Sequence, residues 1–478
     1  QNVRVRFAPS PTGFLHIGGL RTALYNYLFA CANNGKFIVR IEDTDRTRIV
    51  EGAASSMLST LERIGLHPDE SPKHGGEYGP YVQSERLQHY QRVAHELIQN
   101  GAAYRCFCSP RRLSILKKDQ RRRKETERYD NRCRDLTEGN IACNVAEGKP
   151  FVIRLKLKAN FISIKDALFG KVGHNSYFEG DPVLLKSDGF PTYHLANVVD
   201  DHMMQISHVI RGKEWLTSTS KHVQIYEALG WDLPTFIHLP LLINTDGSKL
   251  SKRQVGKFFS GYSPSALLNF MAYYGSGFPG LRFYLISSYH SSQLVLSDAI
   301  VNFSKLDEFS TILTKYILDG NKSELQHMRE ALYKLVQQKY ATTHAVVLPL
   351  LTQYKYLNIK LLTTQGHITK LNDLILKEYQ YLWIRPEVQI LPDHKVFHEA
   401  VCSLIRHLNT ISWTSQDIES ISSILSQHCK ENGCSYPNLM KFLRQVFTNK
   451  EQGPKIADLL HMLGREETVC RLNNALSS

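Results

Sequence analysis

Three groups of residues have types and spacings that could do chemistry. The first is FAPSPTGFLHIGGLRTALYN, Phe7–Asn26, where His16 stands between Pro9 and Pro11 upstream and Gly18 and Gly19 downstream. The second is KLSKR, Lys249–Arg253, which pairs two lysines with a serine and an arginine directly after the turn sequence NTDGS. The third is Cys106-Phe107-Cys108, followed by Cys133-Arg134-Asp135. A stiff, then glycine-rich, turn leading from a strand into a helix is a nucleotide-binding arrangement. Free N–H groups and the positive end of the helix dipole meet phosphate there. Gly18 and Gly19 would let a base or ribose approach the backbone. The turn fits neither G-x-x-x-x-G-K-[ST] nor G-x-G-x-x-G, so its pattern alone leaves a purely structural glycine turn open.

The elements that must hold these groups alternate at first. VRVRF and KFIVRIED (Lys36–Asp43) read as buried strands, with a helix over Leu15–Ala32 between them and another over Gly52–Ile64. This β-α-β-α order predicts a parallel sheet with helices on its faces. A helix over Ser84–Asn100 follows, with Ser84 able to cap it and Gly101 able to end it. Cys106 to Gly148 is polar and carries the basic run KKDQRRRK, Lys117–Lys124, which marks an inserted module. FVIRLKL (Phe151–Leu157) reads as a strand, and the α/β pattern returns over Gly189–Gly230. From about Ser263 long helical patterns dominate, including Ala266–Tyr274, Leu325–Lys339, Phe397–Leu408 and Ile456–Leu463.

The chain has 478 residues, 42% of them apolar, enough for sizeable cores. No uninterrupted apolar run approaches the roughly 18 residues of a membrane span. Lys and Arg exceed Asp and Glu by 58 − 45 = 13, which favours a polyanionic partner, most simply nucleic acid. Nine cysteines without a secreted disulfide spacing read as reduced thiols or metal ligands. No targeting segment, internal repeat or long low-complexity tract is visible.

HIGG, His16–Gly19, resembles the HIGH signature of class I aminoacyl-tRNA synthetases, and KLSKR resembles their KMSKS loop. Further stretches resemble the glutamyl-tRNA synthetase branch: RFAPSPTG (Arg6–Gly13), RIEDTD (Arg40–Asp45), GPYVQSER (Gly79–Arg86), FPTYHLANVVDDH (Phe190–His202), HVIRGKEWLTST (His208–Thr219) and LGREET (Leu463–Thr468). The details look closest to the mitochondrial members. The resemblance runs end to end and thins after Arg253.

It implies a Rossmann-like parallel-sheet catalytic domain over residues 1–84 and 181–255. An inserted acceptor-binding module over 85–180 would interrupt it. A stem-contact helical region over 256–315 and an all-α anticodon-binding region over 316–478 would follow. It implies attachment of glutamate to tRNA through a glutamyl-adenylate, with ATP and Mg2+, and a monomer. Whether glutamine tRNA is charged as well as glutamate tRNA is left open by the sequence; the mitochondrial matrix is the expected compartment, with a bacterial cytoplasm as the alternative. His16 and Lys252 would be catalytic. Arg6, Ala8, Ser10, Glu42, Tyr193, Asn197 and Arg211 would bind glutamate. Arg6 and Arg211 would take the two carboxylates and Glu42 the ammonium; the preferred division gives the γ-carboxylate to Arg211 and Tyr193 and the α-carboxylate to Arg6, and the sequence leaves it open. Arginine suits this task because its planar fork binds carboxylate bidentately. His16, Gly18, Gly19, Glu214, Lys249, Leu250, Ser251, Lys252 and Arg253 would bind ATP. His194 reads as a core residue.

Two departures stand out. Where some relatives end a zinc set with histidine, this chain has Asp135, so Cys106, Cys108, Cys133 and Asp135 are a candidate set and three buried thiols the favoured reading. The segment after Arg253 is short for the family. Three other functions fit parts of the pattern. One is a relative that glutamylates a modified tRNA base, which would lack the long helical half. Another is an inactive RNA-binding scaffold, against which His16 and Lys252 stand. The last is a small-cofactor nucleotidyltransferase, opposed by the helical tail and basic charge.

Overall fold

The computed structural model describes residues 2–158, 161–176, 179–248, 250, 262–274, 294, 296–320, 322–340, 368–386, 394–413 and 415–477. They fall into two compact units, residues 1–259 with 267–302, and 260–266 with 303–478.

In the first unit the expected alternation appears. Strand β1 (Arg4–Phe7) leads into α1 (Ile17–Ala32), then β2 (Lys36–Val39) and α2 (Ala53–Arg63). Helix α3 (Leu87–Gln99), β3 (Ala103–Cys106), α4 (Pro110–Arg122), α5 (Glu138–Ala146), β4 (Val152–Leu155), β5 (Phe161–Asp166), β6 (Gly170–Asn175) and β7 (Val183–Leu185) follow. The chain then forms α6 (Tyr193–Met203), β8 (His208–Gly212), α7 (Leu216–Leu229) and β9 (Thr235–Leu239). The main sheet has the order β2-β1-β8-β9-β5-β6. Every neighbouring pair is parallel except the β5–β6 hairpin. The strand order reverses direction around β1 and β8, and in such sheets ligands bind beyond the carboxyl ends of the strands.

Strands β5 and β6 lie within the stretch that the sequence marks as an insertion, yet they extend the main sheet beside β9, with Asp166 opposite Phe236. Strands β3 and β4 of that stretch form a separate antiparallel sheet with β7, which lies just beyond its expected end. Its apolar face packs with α3 and α6 around Tyr90, Leu97, Ile153 and Leu155. Helix α3 begins later than its sequence suggests. A 3-10 turn, Gln83–Arg86, precedes it, and the Ser84 N–H is given to the Asp43 carboxylate at 2.8 Å. Ser84 therefore ties two loops together instead of capping.

The second unit is helical where it is described, with Ser304–Gly320, Lys322–Tyr340, His394–Thr410, Ser415–Asn432, Tyr436–Thr448 and Ile456–Ser477. The last is two helices joined at Gly464, which takes φ 74 and ψ 170. Its core gathers Leu332, Val336, Leu404, Leu443, Phe447 and Leu459. Glu467 sits buried beneath Arg471, 2.7 Å away, and Arg385, 2.9 Å away. This places the second glutamate of LGREET in a structural ion cluster.

A buried charge network locks β1, β2, α3 and α6 together. Asp201 receives a fork from Arg6 at 2.9 and 3.0 Å, and a third bond from Arg40 at 2.8 Å. Asp200 accepts from Arg86 at 2.7 Å, Gln83 at 2.9 Å and the Tyr90 hydroxyl at 2.8 Å. Arg40 and Asp200 have no exposed surface. Removing one partner from such a cluster strands a charge, which costs about 3–5 kcal/mol. Asp200→Ala should therefore lower the temperature of the first unfolding transition by several degrees, and an unchanged thermogram would contradict the network's structural role.

Candidate active site

The site is assembled at the carboxyl ends of β1, β2, β8 and β9. His16 is the N-cap of α1, with extended backbone at φ −112 and ψ 166. Its Nδ1 accepts from the Gly19 N–H at 3.2 Å. That bond leaves Nδ1 unprotonated, so the neutral ring carries its proton on Nε2. The first turn of α1 holds no acidic residue, so the positive end of the helix dipole is not offset there. Gly18 keeps the cap in place: a Cβ there would come within 3.2 Å of the His16 ring. A Cβ on Gly19 would come within 3.1 Å of Leu15. Gly18 thus makes room for the histidine itself and Gly19 for Leu15. Ala8 is half-buried and Ser10 exposed on the loop leaving β1, and Pro9 between them accepts from the Glu42 N–H at 3.0 Å.

Helix α6 presents one row of polar residues to this region. Tyr193 opens it, Asn197 follows one turn later, and Asp200 and Asp201 come after a further turn. Asn197 Nδ2 donates to Glu42 Oε1 at 3.4 Å, and Arg40 donates to the same oxygen at 3.1 Å. Burial raises the Glu42 carboxyl pKa, opposed by the charges of Arg40 and Arg6. A cation arriving beside Glu42 would favour its ionised form.

The two arginines expected to face carboxylates differ sharply. Arg6 is already paired with Asp201, and its Nη1 stays outside that fork. Arg211 is 4% exposed, and its partners among the described residues are all uncharged. Its Nε donates to His238 Nε2 at 3.1 Å. Its Nη1 donates to the Tyr193 hydroxyl at 2.9 Å and His222 Nδ1 at 3.3 Å. Its Nη2 donates to Thr219 Oγ1 at 2.8 Å and the Trp215 carbonyl at 3.4 Å. No carboxylate lies within ion-pair distance of Arg211 among the described residues. A buried cation held only by neutral groups is a receptor for an anion. Tyr193 bridges the two halves: burial raises its hydroxyl pKa, and the charges of Arg211, Glu42, Arg6 and Asp201 all act on it. Trp215 packs on the Tyr193 ring at a centroid distance of 4.2 Å.

His194 stands behind this pocket, its Nδ1 3.3 Å from His222 Nε2. Glu214 lies exposed in the short turn after β8, and Leu250 is half-buried. Lys249, Ser251, Lys252 and Arg253 lie outside the described residues. The sequence reading did not single out Asp201, Thr219, His222, His238 or Asp166. One of them carries a signal in the sequence, since His238 is a histidine in an otherwise apolar segment, FIHL.

In the insertion the Sγ atoms of Cys106, Cys108 and Cys133 lie within 4.8 Å of one another. Asp135 is not part of this group. The Tyr129 hydroxyl takes the neighbouring place instead, 3.2 Å from Cys106 Sγ and 3.5 Å from Cys108 Sγ. Three clustered thiols fit the soft-ligand preference of zinc, and an ion there would brace the insertion without touching the chemistry. The basic run is partly self-neutralised: Arg112 pairs with Asp130, Arg121 with Glu127, and Arg122 and Arg123 with Asp119. Lys117, Lys118 and Lys124 stand outside these pairs.

Residues 2–303 match the family model for the catalytic domain of class I tRNA synthetases (E and Q), and residues 325–476 match an anticodon binding domain. The glutamate–tRNA ligase of Finegoldia magna is 37% identical over 99% of both chains. That of Chlorobium phaeobacteroides is 51% identical over 58% of this chain and 57% of its own. A crystal structure of a glutamate tRNA ligase from Elizabethkingia meningosepticum in complex with its amino acid superposes with a TM-score of 0.80 at 33% identity, covering all of both chains. These relatives are bacterial, so the expected mitochondrial address finds no support among them.

The buried histidines give a pH test. Burial, with the nearby positive charges of Lys221 and Arg211, pushes His194 down to about 4. A histidine whose pKa is depressed on folding binds fewer protons folded than unfolded. Its stabilising contribution is whole above the ordinary value of about 6.5. It is lost as pH falls from there toward about 4. The melting temperature should fall more steeply over that window in the native chain than in His194→Gln, and parallel curves would contradict the assignment.

Proposed function

Because the chain belongs to the class I tRNA synthetases and is a glutamate–tRNA ligase, we propose a role for each residue of the pocket in activating glutamate and passing it to tRNA. The single observation that supports this most is the uncompensated charge of buried Arg211 beside Tyr193. Arg211 and Tyr193 take the γ-carboxylate of glutamate. Arg6, whose Nη1 lies outside the Asp201 fork, takes the α-carboxylate. Glu42, steadied by Arg40 and Asn197, takes the ammonium. Ala8 and Ser10 line the approach from the loop after β1.

The α-carboxylate oxygen attacks the α-phosphorus of ATP in line. The P–O bond to pyrophosphate breaks as the new P–O bond forms. The nucleophile is already an anion, so no general base is needed. The requirement is for position and for stabilisation of charge on the phosphate. His16, with its proton on Nε2, donates to that charge from the N-terminus of α1. Gly18 and Gly19 seat the nucleotide, Glu214 contacts the adenosine, and Lys249, Leu250, Ser251, Lys252 and Arg253 hold the triphosphate with Mg2+. In the second step a terminal ribose hydroxyl of tRNA, the 2′-hydroxyl for this class, attacks the carbonyl carbon and AMP leaves. Lys117, Lys118 and Lys124 of the inserted module meet phosphates of the acceptor arm, and the helical region over 316–478 reads the anticodon. The enzyme acts as a monomer in a bacterial-type cytoplasm.

Arg211→Ala should raise KM for glutamate at least tenfold, as expected when a charged hydrogen-bond partner worth about 1.5–3 kcal/mol is removed, with KM for ATP unchanged. Unaltered glutamate kinetics would remove Arg211 from this role. His16→Ala should slow adenylate formation about 10²–10³-fold while tRNA affinity holds, and an unaltered rate would contradict its catalytic assignment. Aminoacylation of separate glutamate and glutamine tRNA transcripts sets the range. Glutamate tRNA is the expected substrate, and labelling of both transcripts would make the enzyme a relaxed one.

A further inference from the structure

We propose that His238, oriented by Asp166, is a positioning residue that holds Arg211 as an unneutralised cation and so sets the preference for a side-chain carboxylate over a carboxamide. This rests on the assignment of Arg211 to the γ-carboxylate.

The geometry fixes the proton positions. Arg211 Nε can only donate, so His238 Nε2, 3.1 Å away, is the lone-pair nitrogen. The ring proton is then on Nδ1 and is donated to Asp166 Oδ2 at 2.7 Å. Asp166 is held in turn. Its Oδ2 also accepts from the His238 N–H at 3.1 Å, and its Oδ1 accepts from the N–H groups of Leu168 and Phe169 at 2.9 and 2.8 Å. His238 is fully buried and Asp166 nearly so. Each therefore has one orientation available, and the carboxylate sits one imidazole away from the guanidinium.

That spacing matters because the same sheet also uses the direct alternative. On β1, Arg6 meets Asp201 with nothing between them, and its charge is compensated. On β8, the residue opposite Arg211 in the parallel register is His238, and the carboxylate of the next strand is kept behind it. The other partners repeat the pattern. His222 Nδ1 and Thr219 Oγ1 accept from Arg211 without adding charge, and Thr219 Oγ1 lies 3.2 Å from His238 Nε2. All five N–H groups of Arg211 are thereby directed by neutral acceptors. A protonated His238 would turn a donor toward a donor. Burial and the charge of Arg211 oppose that protonation, and they prevail over the attraction of Asp166. An arriving carboxylate finds a whole positive charge. A carboxamide of the same shape gains a hydrogen bond without the ion pair, and its NH2 group has no acceptor to meet on the guanidinium.

The test compares His238→Ala, His238→Gln, His238→Glu and Arg211→Ala in the full chain with glutamate tRNA, by pyrophosphate exchange with glutamate or glutamine. Melting temperature is the folding control. His238→Ala should raise KM for glutamate about tenfold and leave kcat and KM for ATP near the native values. His238→Gln, whose amide oxygen can accept from Arg211 Nε, should recover most of that loss. His238→Glu places a carboxylate against Arg211 and should lower the glutamate-to-glutamine selectivity by more than about tenfold relative to His238→Gln. If His238→Ala does not fold, the contrast between Glu and Gln decides. Loss of kcat, KM for ATP and KM for glutamate in equal measure in every variant would make His238 a packing residue and overturn the proposal. So would native selectivity in His238→Glu while Arg211→Ala is impaired. Native glutamate kinetics in Arg211→Ala would instead overturn the assignment beneath it.

Discussion

The pairing of Arg6 with Asp201 is the constraint on which the site depends. It joins β1 to α6 through two bonds of 2.9 and 3.0 Å, in a region with almost no water to screen them. Arg40 shares the same carboxylate and extends the link to β2, where Glu42 stands. Such a cluster gives little net stability over an apolar core of equal volume, because desolvation consumes most of the Coulombic gain. What it provides is position. Once Asp201 is fixed, helix α6 has one rotation about its axis, and Tyr193 and Asn197 are delivered to the pocket by helical periodicity.

With that frame set, two cations on neighbouring strands are put to different uses. The Arg6 charge is balanced inside the protein, and the Arg211 charge is not. An α-amino acid with an anionic side chain brings two negative groups and one positive. The pocket offers an open guanidinium nitrogen, an uncompensated guanidinium and a carboxylate. Under the proposed assignment the match is one of charge. The same proposal keeps the chemistry simple: the nucleophile would enter charged, and the protein's task would be to hold it still beside a phosphate at the start of a helix.

Much of this was legible in the sequence, and the portion that was not has a physical reason. The β-α-β-α order, the turn at His16 and the strand HVIRG are local patterns, and they appear where the periodicity places them. Tyr193, Asn197, Glu42, Arg6 and Arg211 do converge. The counterions did not announce themselves, because Asp200 and Asp201 in VVDDH look like a solvated helix end until β1, β2 and α3 close over them. The partition of the insertion was hidden for a similar reason. Strand β5 joins the main sheet through pairing with β9, some seventy residues later in the chain, as Asp166 opposite Phe236 shows. In the thiol cluster, spacing pointed to Asp135, whereas folding brought in the Tyr129 hydroxyl. Ser84 had the residue type of a cap but was claimed by the turn at Asp43.

A crystal structure of this chain with glutamate bound tests the division of labour between the two arginines. The γ-carboxylate should lie within about 3 Å of Arg211 and Tyr193, the α-carboxylate on the Arg6 side and the ammonium against Glu42. A γ-carboxylate seated on Arg6, with Arg211 still held only by its histidines, tyrosine and threonine, would contradict it.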